Sequence, residues 1–414
     1  ELSGNRLTRG LFRGSYATRL ASHIRQDTMS EDGDYDPEAA EEEQELDLSV
    51  PEVVTKYKGA AEICNLALAH LVEEAKVGMK VIDLCTKSDE FLTQKLAGSF
   101  NKKNAKGERV EKGIAFPTCV SLNSTVCHFS PCAGDATTIA AGDMVKIDLG
   151  CHIDGFIAVG AHTFMMQDGK VSGRAADALV AANTALEATM RMMKPGNKAS
   201  DIAPVLEKIG NAYNVKVVEG VLSHQMKRFV IDGNKVVLNK TSPEHKAEEA
   251  VFEENEVYAV DICYSTGEGK PKVVDEKETT VYKRALDKEY NLKMKASRFV
   301  FSEINKRFPT MPFTMRLIED SGRARLGLVE CLNHELLHPY PVLHEKAGDV
   351  VAHLKCTVLI TANGVDRVTS VPLQECVSES TMQDEEIAKL LQTSLKISKK
   401  KKNKKKKEGE SMES

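Results

Sequence analysis

The sequence lacks two features that would mark a disulfide-stabilised or membrane-spanning protein. Its ten cysteines are scattered singly, with no CxxC pair and no spacing typical of a disulfide or zinc framework. No stretch approaches the roughly 20 consecutive apolar residues that a membrane span requires. We therefore expect a protein of a reducing compartment, with no membrane insertion. Its apolar content of 42% and charged content of 28% are ordinary for a globular chain.

Charge of one sign is missing from three terminal stretches. Residues 2–26 contain five arginines and no acid, residues 31–47 contain acids and no base, and nine lysines lie between positions 396 and 407. Such blocks cannot bury apolar surface and are predicted to be disordered. Residues 1–28 are interpreted as a translated leader that precedes Met29, or alternatively as a mitochondrial presequence.

These shifts in composition divide the chain into four predicted segments. The leader or presequence (1–28) is followed by an acidic disordered segment (29–52), a folded domain (53–395) and a lysine-rich disordered tail (396–414). Within the folded domain, residues from about 270 to 333 form an insertion that is rich in lysine and arginine. It is predicted to contain a basic strand pair at 272–285 and 290–296, followed by a helix at 297–308.

Hydrophobic periodicity predicts two helices followed by strands, twice over. The predicted helices are 55–76, 81–100, 173–193 and 199–213, and the main predicted strands are 113–123, 144–150, 156–166, 215–222, 256–263 and 350–360. This order indicates a duplicated ααβ-type unit. Asp148 and Asp261 occupy matching positions in the stretches AGDMVKIDLG and EENEVYAVDIC. Two such halves would bring both carboxylates into one central cleft.

Lys355 lies in the middle of the apolar stretch VVAHLKCTVLI. A buried and unpaired ammonium is costly, so this lysine either faces solvent from an edge strand or is matched to carboxylates. His128, Asp148, His224 and Asp261 are further titratable residues on or beside apolar strands. Taken singly, such residues usually cap turns or satisfy a core, so the site hypothesis depends on their occurring together.

These titratable residues lie in or near a series of motifs that occur together in one known family. GIAFPT, VCHFSP, VKIDLG, LSHQ, YAVDICYSTGEG and HPYPVLHEKAGDVVAHLKCTVLI resemble the methionine aminopeptidase family, and the long basic insertion resembles its type 2 form. The resemblance implies a mixed α/β (α+β) pita-bread fold, the creatinase/methionine aminopeptidase fold, with pseudo-twofold halves and a type 2 helical insertion.

Family members hold two divalent metals with two Asp, one His and two Glu, and a further His contacts the substrate. By resemblance, His128 stands at the substrate-binding histidine, and Asp148, His224 and Asp261 stand at ligand positions. The second Asp falls at Val159 and the bridging Glu at Lys355. Valine has no donor atom and an ammonium repels a cation, so we expect no catalytic residues, no bound metal and no cofactor. Lys355 should instead pair with Asp148 and Asp261. A single-metal site on Asp148, His224 and Asp261 is the alternative.

His334–His338 is a literal HExxH, the zincin signature. Zincins need this motif in mid-helix, whereas Pro339 and Pro341 would stop a helix here, so we do not assign a zinc site.

Loss of ligands together with the lysine-rich tail resembles the proliferation-associated group of this family, also called ErbB-3 binding proteins. The resemblance implies a cytoplasmic, nuclear and nucleolar protein that binds rRNA, ribosomes and ribonucleoprotein particles, and regulates translation, rRNA processing and growth. It also implies a growth-factor receptor tail and transcription regulators as partners. An active metalloaminopeptidase with an altered site, or a peptide-binding adaptor, remains an alternative.

Candidate RNA contacts follow from charge. Lysine runs attract phosphates without recognising nucleotide sequence. In the insertion, basic side chains alternate with aromatic residues. The predicted RNA- or ribosome-binding residues are Lys283, Arg284, Lys293, Lys295, Arg298, Lys399, Lys400, Lys401, Lys402, Lys404, Lys405, Lys406 and Lys407. The alternatives are a solubility tail or localisation signal, and an ordinary solvated face.

Overall fold

The pattern of two helices followed by strands occurs twice in the folded chain. The computed structural model describes residues 46–103, 107–242, 247–318 and 321–397. The helices are α1 (Pro51–Glu74), α2 (Val81–Gly98), α3 (Gly173–Met192), α4 (Ile202–Ala212), α5 (Lys295–Arg307), α6 (Ser321–Asn333) and α7 (Glu385–Leu391). None of these described helices combines the length and apolar character needed to cross a membrane.

The strands are β1 (Lys112–Leu122), β2 (Thr125–Cys127), β3 (Met144–Ile153), β4 (Phe156–Met165), β5 (Val171–Ser172), β6 (Lys216–Val217), β7 (Leu222–Met226), β8 (Val236–Leu238), β9 (Val257–Ser265), β10 (Val281–Arg284), β11 (Phe313–Thr314), β12 (Leu337–Tyr340), β13 (Leu343–His344), β14 (Val351–Thr361), β15 (Gly364–Arg367) and β16 (Cys376–Val377). The central sheet follows the order β1-β3-β4-β14-β9-β7-β8, with β15 beside β14 and β6 beside β9.

Two apolar cores pack helices against the two halves of this sheet. The first core joins α1 and α2 to β3 through residues such as Leu68, Leu84 and Ile147. The second joins α3 and α4 to β9 and β14 through residues such as Leu186 and Leu206. The pita-bread architecture with two similar halves is therefore confirmed, and β4 and β14 are the strands that meet at its centre.

The seam between the halves has an unusual ladder. β4 and β14 share one registered pair, Ala161 with Lys355. On either side of that pair, threonine hydroxyls take the place of backbone partners. The Thr163 hydroxyl donates to the His353 carbonyl at 2.6 Å, and the Thr357 hydroxyl donates to the Val159 carbonyl at 2.9 Å. The halves are thus joined at the seam largely through side chains.

The insertion has its own small core, and one predicted strand there is wrong. Residues 281–284 form β10, which pairs with β11 and β12. Residues 290–296, predicted as its partner strand, are irregular as far as Met294 and belong to α5 from Lys295 onward. The carboxylate of Glu330 accepts the backbone N–H groups of Lys293 at 2.8 Å and Met294 at 3.1 Å. These donors are therefore capped by α6 and not by a strand.

Both ends of the folded body extend beyond their expected limits. Residues up to 52 were expected to be disordered, but Leu48 is buried beside Val53, and α1 begins at Pro51. At the other end, the backbone N–H of Ile397 donates to the Asn363 carbonyl at 2.9 Å. The predicted leader (1–28) and most of the acidic and lysine-rich segments lie outside the described residues.

Buried neutral histidines should make the fold sensitive to acid. Burial lowers the pKa of His152 and His162 to about 4 each. The unfolded chain therefore binds more protons between about pH 6.5 and pH 4. Stability should be fully present above pH 6.5 and fall as the pH approaches 4, by up to roughly 3 kcal/mol per histidine. Urea unfolding at a series of pH values measures the slope.

Comparison of histidine variants separates the contribution of these two imidazoles to the pH dependence of stability from the contribution of carboxylates. His152→Gln and His162→Gln should each flatten the slope between pH 6.5 and pH 4, whereas His334→Gln, at an exposed position, should leave it unchanged. Equal slopes in all three variants and the unmodified chain would mean that these imidazoles take up protons in the folded state.

Candidate functional site

Four neighbouring strands bring the predicted site residues into one row. Asp148 on β3 lies opposite Ala161 on β4, Ala161 lies opposite Lys355 on β14, and Lys355 lies opposite Asp261 on β9. Residues in register across a sheet project from the same face. Because Ala161 is small, the Lys355 side chain can reach toward Asp148 across the strand between them.

Lys355 pairs with both carboxylates, as the sequence predicts. Its Nζ lies 2.7 Å from Oδ2 of Asp148 and 3.0 Å from Oδ2 of Asp261. We call these three residues the central ion trio. All three are buried, with residue exposures of 9% or less. The edge-strand alternative, with a solvent-facing lysine, is wrong because β14 lies in the interior of the sheet.

The ionisation of the trio follows from its contacts. Burial alone would lower the pKa of the Lys355 ammonium, but the attraction of Asp148 and Asp261 outweighs it and the pKa is raised. Burial would raise the pKa of Asp261, but Lys355 and His353 hold that pKa well below its usual range. Lys355 is therefore a fixed cation and Asp261 a fixed anion at physiological pH.

His353 is a member of the site that the sequence analysis missed. Its Nε2–H donates to Oδ1 of Asp261 at 2.7 Å, and the residue is buried. The signal was present in the sequence, because side chains two residues apart on a strand share a face and Lys355 follows His353 by two positions. The Asp261 carboxylate therefore binds His353 through Oδ1 and Lys355 through Oδ2.

The two predicted histidines lie around the trio without joining it. His128 adopts a left-handed backbone conformation (φ 67°), and its Nδ1–H donates to the Pro341 carbonyl at 3.0 Å. Burial, followed by the nearby Lys355 charge, lowers its pKa to about 4. His224 lies opposite Ala259 on β9, and burial lowers its pKa as well. Both imidazoles are therefore neutral at physiological pH.

Aromatic rings close the site on the side of His128. Phe116, from the GIAFPT motif, clusters with the His128 and Tyr340 rings, with centroid distances of 6.0 Å to His128 and 5.5 Å to Tyr340, and those two rings lie 5.4 Å apart. The Lys355 ammonium lies 5.3 Å from the Phe116 ring centroid, a distance typical of a cation–π contact. His128 and the GIAFPT motif thus pack against each other and help to exclude water from the ammonium.

Val159 fills an apolar position two residues from Ala161 on the same strand. It lies opposite Gly150, where a Cβ atom would come within 2.6 Å of Val159 Cγ1. The valine methyl thus uses the space that glycine leaves, and its side chain packs in an apolar cluster with Phe116 and Phe156. It contributes no donor atom to the site.

The donor set does not fit the pair of divalent metals that the family resemblance implies. Carboxylate and imidazole ligands remain at Asp148, His224 and Asp261, but Val159 supplies none and Lys355 contributes a positive charge. The ammonium is bonded to both carboxylates, so a cation would have to displace it and also bear its repulsion. The residues present therefore do not form a site for this pair of metals.

Among the described residues, a second group has potential ligand atoms, and the same objection applies to it. Asp261, Cys263 and His353 bring one donor atom each to within 4.8 Å of one another. However, the Asp261 carboxylate already binds Lys355 and accepts the His353 hydrogen bond. The HExxH stretch is likewise not a helical zinc motif, because α6 ends at Asn333 and β12 begins at Leu337.

The predicted nucleic-acid residues divide into anchored and exposed groups. Lys283 forms a salt bridge with Asp232 that links the insertion to the body, and its assignment to an RNA surface stays a prediction. The Arg284 guanidinium lies 5.7 Å from the Phe301 ring centroid. Lys293, Lys295 and Arg298 are exposed at the start of α5. The lysines from Lys399 to Lys407 lie outside the described residues.

The fold and the row of site residues define a class: a pita-bread protein in which a lysine bridges the two carboxylates of the central cleft. Comparison with known proteins agrees. The model of metallopeptidase family M24 matches residues 55–283, and the chain belongs to this family.

Relatives narrow the placement within the family. The chain is 60% identical over 344 residues to ErbB-3 binding protein 1 of Solanum tuberosum, covering 83% of this chain and 88% of that protein. It is 41% identical to the curved DNA-binding protein of Schizosaccharomyces pombe, covering 86% and 93%. The solved structure of a thermophilic Arx1 superposes with a TM-score of 0.79 at 29% identity, covering 84% of this chain and 100% of that one. The predicted placement in the ErbB-3 binding group is confirmed.

Removal of the Lys355 charge should strongly destabilise the protein. Lys355→Met leaves Asp148 and Asp261 buried without a cation, and we expect a loss of about 3–5 kcal/mol in the free energy of unfolding. Urea unfolding at neutral pH measures the loss. Lys396→Met, which breaks an exposed pair with Asp366, should change little.

A triple variant separates charge from packing. Asp148→Asn and Asp261→Asn, added to Lys355→Met, remove all three charges while keeping similar shapes, and should recover much of the lost stability. A triple variant no more stable than Lys355→Met would show that packing of the lysine stem, and not charge compensation, sets the cost.

Proposed function

We propose that this chain is a non-catalytic RNA- and ribosome-binding protein that regulates translation, rRNA processing and growth on a methionine aminopeptidase-like scaffold. The observation that carries the proposal is the bond from Lys355 to both Asp148 and Asp261. It ties up the carboxylates that would otherwise hold a metal, and without a metal-activated water the family's hydrolysis has no nucleophile.

The site also offers little room for a substrate. The trio is nearly inaccessible to solvent, and Phe116, His128 and Tyr340 pack over it. A cavity of about 530 Å³ lies elsewhere, between α1 and the segment 366–372. These features support a scaffold role over an altered peptidase or an adaptor that binds peptides in the old cleft.

The surface of the insertion supports nucleic acid as a partner. Lys295, Arg298 and Lys306 are exposed, and their spacing along α5 places them on one side of the helix, with Lys306 about two turns beyond Arg298. Phe299 follows Arg298, and the Arg323 guanidinium lies 4.1 Å from its ring centroid. Cations beside aromatic rings are the groups that bind phosphates and stack on bases. We call Lys293, Lys295, Arg298, Lys306 and Arg323 the α5 basic face.

The names of relatives support the same partner class and suggest others. One relative is named a curved DNA-binding protein, which fits a basic surface that contacts a phosphate backbone. Another is named for binding ErbB-3, so we propose a growth-factor receptor tail as a protein partner, with transcription regulators as further partners. We place the protein in the cytoplasm, nucleus and nucleolus.

Affinity for RNA should depend steeply on salt and on the two basic regions. The probe is an unstructured 20-nucleotide RNA, and fluorescence anisotropy between 50 and 200 mM salt measures the affinity. Each phosphate contact contributes roughly 0.7 to the slope of log affinity against log salt for a single strand. Replacing Lys293, Lys295 and Lys306 with Gln should therefore lower both affinity and slope, and replacing Lys399–Lys402 and Lys404–Lys407 should lower them further.

The matched control removes three exposed lysines from the body, Lys76, Lys80 and Lys102. Its affinity and slope should stay close to those of the unmodified chain. Equal losses of RNA affinity in the control and in the α5 basic face variant would show that net charge alone causes the loss. Absence of binding at 50 mM salt would overturn the proposal.

Restoring the two lost ligands should restore metal binding. The variant Val159→Asp with Lys355→Glu provides carboxylates at both positions and removes the ammonium, so it should bind Co²⁺ in calorimetric titration. The unmodified chain should show no such binding and no turnover of Met-peptides with added Mn²⁺ or Co²⁺. Cobalt uptake of two ions per unmodified chain, with turnover, would identify a working aminopeptidase.

A further inference from the structure

Two acidic side chains outside the central cleft converge on one point beside Gly267. This glycine belongs to the loop that follows β9, and a Cβ atom there would lie 2.5 Å from Oδ2 of Asp349 and 3.0 Å from Oε2 of Glu345. The φ angle of Gly267 lies outside the left-handed region, so its backbone conformation does not require glycine. Space requires it, because the two carboxylates point to the place that a side chain would fill.

Glu345 is buried without a partner for its charge. The residue is only 8% exposed, and its Oε1 atom is inaccessible to solvent and accepts no hydrogen bond from any described residue. Within the described part of the chain, neither Glu345 nor Asp349 forms an ion pair. A buried carboxylate is normally paired with a cation or coordinates a metal, because its desolvation is costly. The Glu345 carboxylate therefore has free acceptor capacity beside Gly267.

The cationic side chains of these loops are bonded elsewhere. Lys346 follows Glu345 in sequence, but its Nζ is exposed and lies 2.5 Å from Oε1 of Glu268. Its attraction for Glu345 and Asp349 therefore acts only at longer range. The Arg174 guanidinium also reaches the loop, where it donates to a backbone carbonyl. These groups leave the two converging carboxylates without a contacting cation.

Hydrogen bonds hold the two loops in this arrangement. The Thr266 hydroxyl donates to Oδ1 of Asp349 at 3.1 Å and accepts the backbone N–H of Val350 at 3.0 Å. The backbone N–H of Glu345 donates to the Ser124 carbonyl at 2.9 Å. Because Oδ1 of Asp349 is used in this way, Oδ2 is the oxygen that remains for a ligand beside Gly267.

We propose that Glu345 and Asp349 bind a divalent cation that prefers oxygen ligands, Mg²⁺ or Ca²⁺, in the space beside Gly267. Mg²⁺ is commonly held by one or two carboxylates, with water in its other positions. Asp349 is only partly buried, which gives water access to the ion. The pair includes no thiolate or imidazole, so it does not favour a softer metal. The bound ion would join the end of β9 to the start of β14.

The composition of the site predicts weak binding. Sites with few protein ligands have dissociation constants on the order of 1 mM. Such a site stays largely unfilled in a cobalt titration at micromolar concentration, which keeps it separate from the ligands of the central cleft. The inference is also independent of the proposed function, since neither carboxylate belongs to the basic surfaces.

Urea unfolding of the full chain with 10 mM MgCl₂ or CaCl₂ tests the site. An ion that binds only the folded chain, with a dissociation constant of about 1 mM, should lower the unfolding equilibrium constant about tenfold. NaCl at 30 mM has the same ionic strength and should have a much smaller effect. No response to either divalent ion, or an equal response to NaCl, would overturn the proposal.

Variants assign the response to these two carboxylates. Glu345→Gln with Asp349→Asn should abolish it, and Asp349→Asn alone should weaken it, which tests the site even if the double variant does not fold. The matched control, Glu385→Gln with Glu386→Gln, removes two exposed carboxylates from α7 and should keep the full response. Equal responses in the two double variants would show that the ion acts on general charge and not at this site.

Electron paramagnetic resonance of Mn²⁺ measures binding directly, because the signal of the free ion is lost on binding. At millimolar Mn²⁺ the unmodified chain should bind one ion more than the Glu345→Gln, Asp349→Asn variant, and Mg²⁺ or Ca²⁺ should displace it. The ion that displaces Mn²⁺ at the lower concentration is the preferred ligand. An equal number of bound Mn²⁺ ions in both chains would overturn the proposal.

Discussion

Lys355 supplies positive charge at the point where the two halves of the sheet meet. Asp148 belongs to the first half and Asp261 to the second, and the ammonium lies within 3.0 Å of both. Two buried carboxylates this close would repel each other and favour protonation of one of them if no cation were present. Removal of one partner from a buried ion pair is far more costly than the net worth of the pair, so the trio acts as a unit.

The central ion trio is important because the backbone ladder between β4 and β14 around it is short. β4 and β14 meet at the Ala161–Lys355 pair, while Thr163 and Thr357 provide hydroxyl bonds on either side. Within each half, the strands are joined by long regular ladders, such as the nine registered pairs of β14 with β9. A seam of side-chain contacts needs a strong central interaction, and the ion trio is placed in the middle of it.

The insertion shows that basic residues can serve attachment as well as recognition. The Arg316 side chain is only 8% exposed. Its guanidinium lies 2.5 Å from the Asp89 carboxylate on α2 and also donates to the Ser130 hydroxyl. Lys283 is held by Asp232 of the body. Composition alone counts these residues with the exposed cations. Only their partners, which are far away in sequence, show that their charges are neutralised within the fold.

Sequence predicted the parts of the structure that depend on local pattern. The first four helices and the strands with Asp148, Asp261 and Lys355 follow from periodicity, and the pairing of Lys355 followed from the family resemblance and charge. The strand predicted at 290–296 is wrong, because the backbone donors of Lys293 and Met294 are capped by Glu330, 36 positions after Met294. Long-range partners of this kind, like the seam threonines, have no local signal.

Because the cation of the central cleft is the side chain of Lys355, the stability of the cleft does not depend on a metal ion from solution. An exchangeable metal stabilises a fold by an amount that grows with its free concentration relative to its dissociation constant. The Lys355 ammonium is covalently attached, and its raised pKa keeps it charged throughout the physiological range, so its contribution does not vary with metal supply. The same bonds that stabilise the seam occupy the carboxylates needed for hydrolysis. A cation that does not depend on metal supply and the occupation of both central carboxylates are thus two consequences of one lysine.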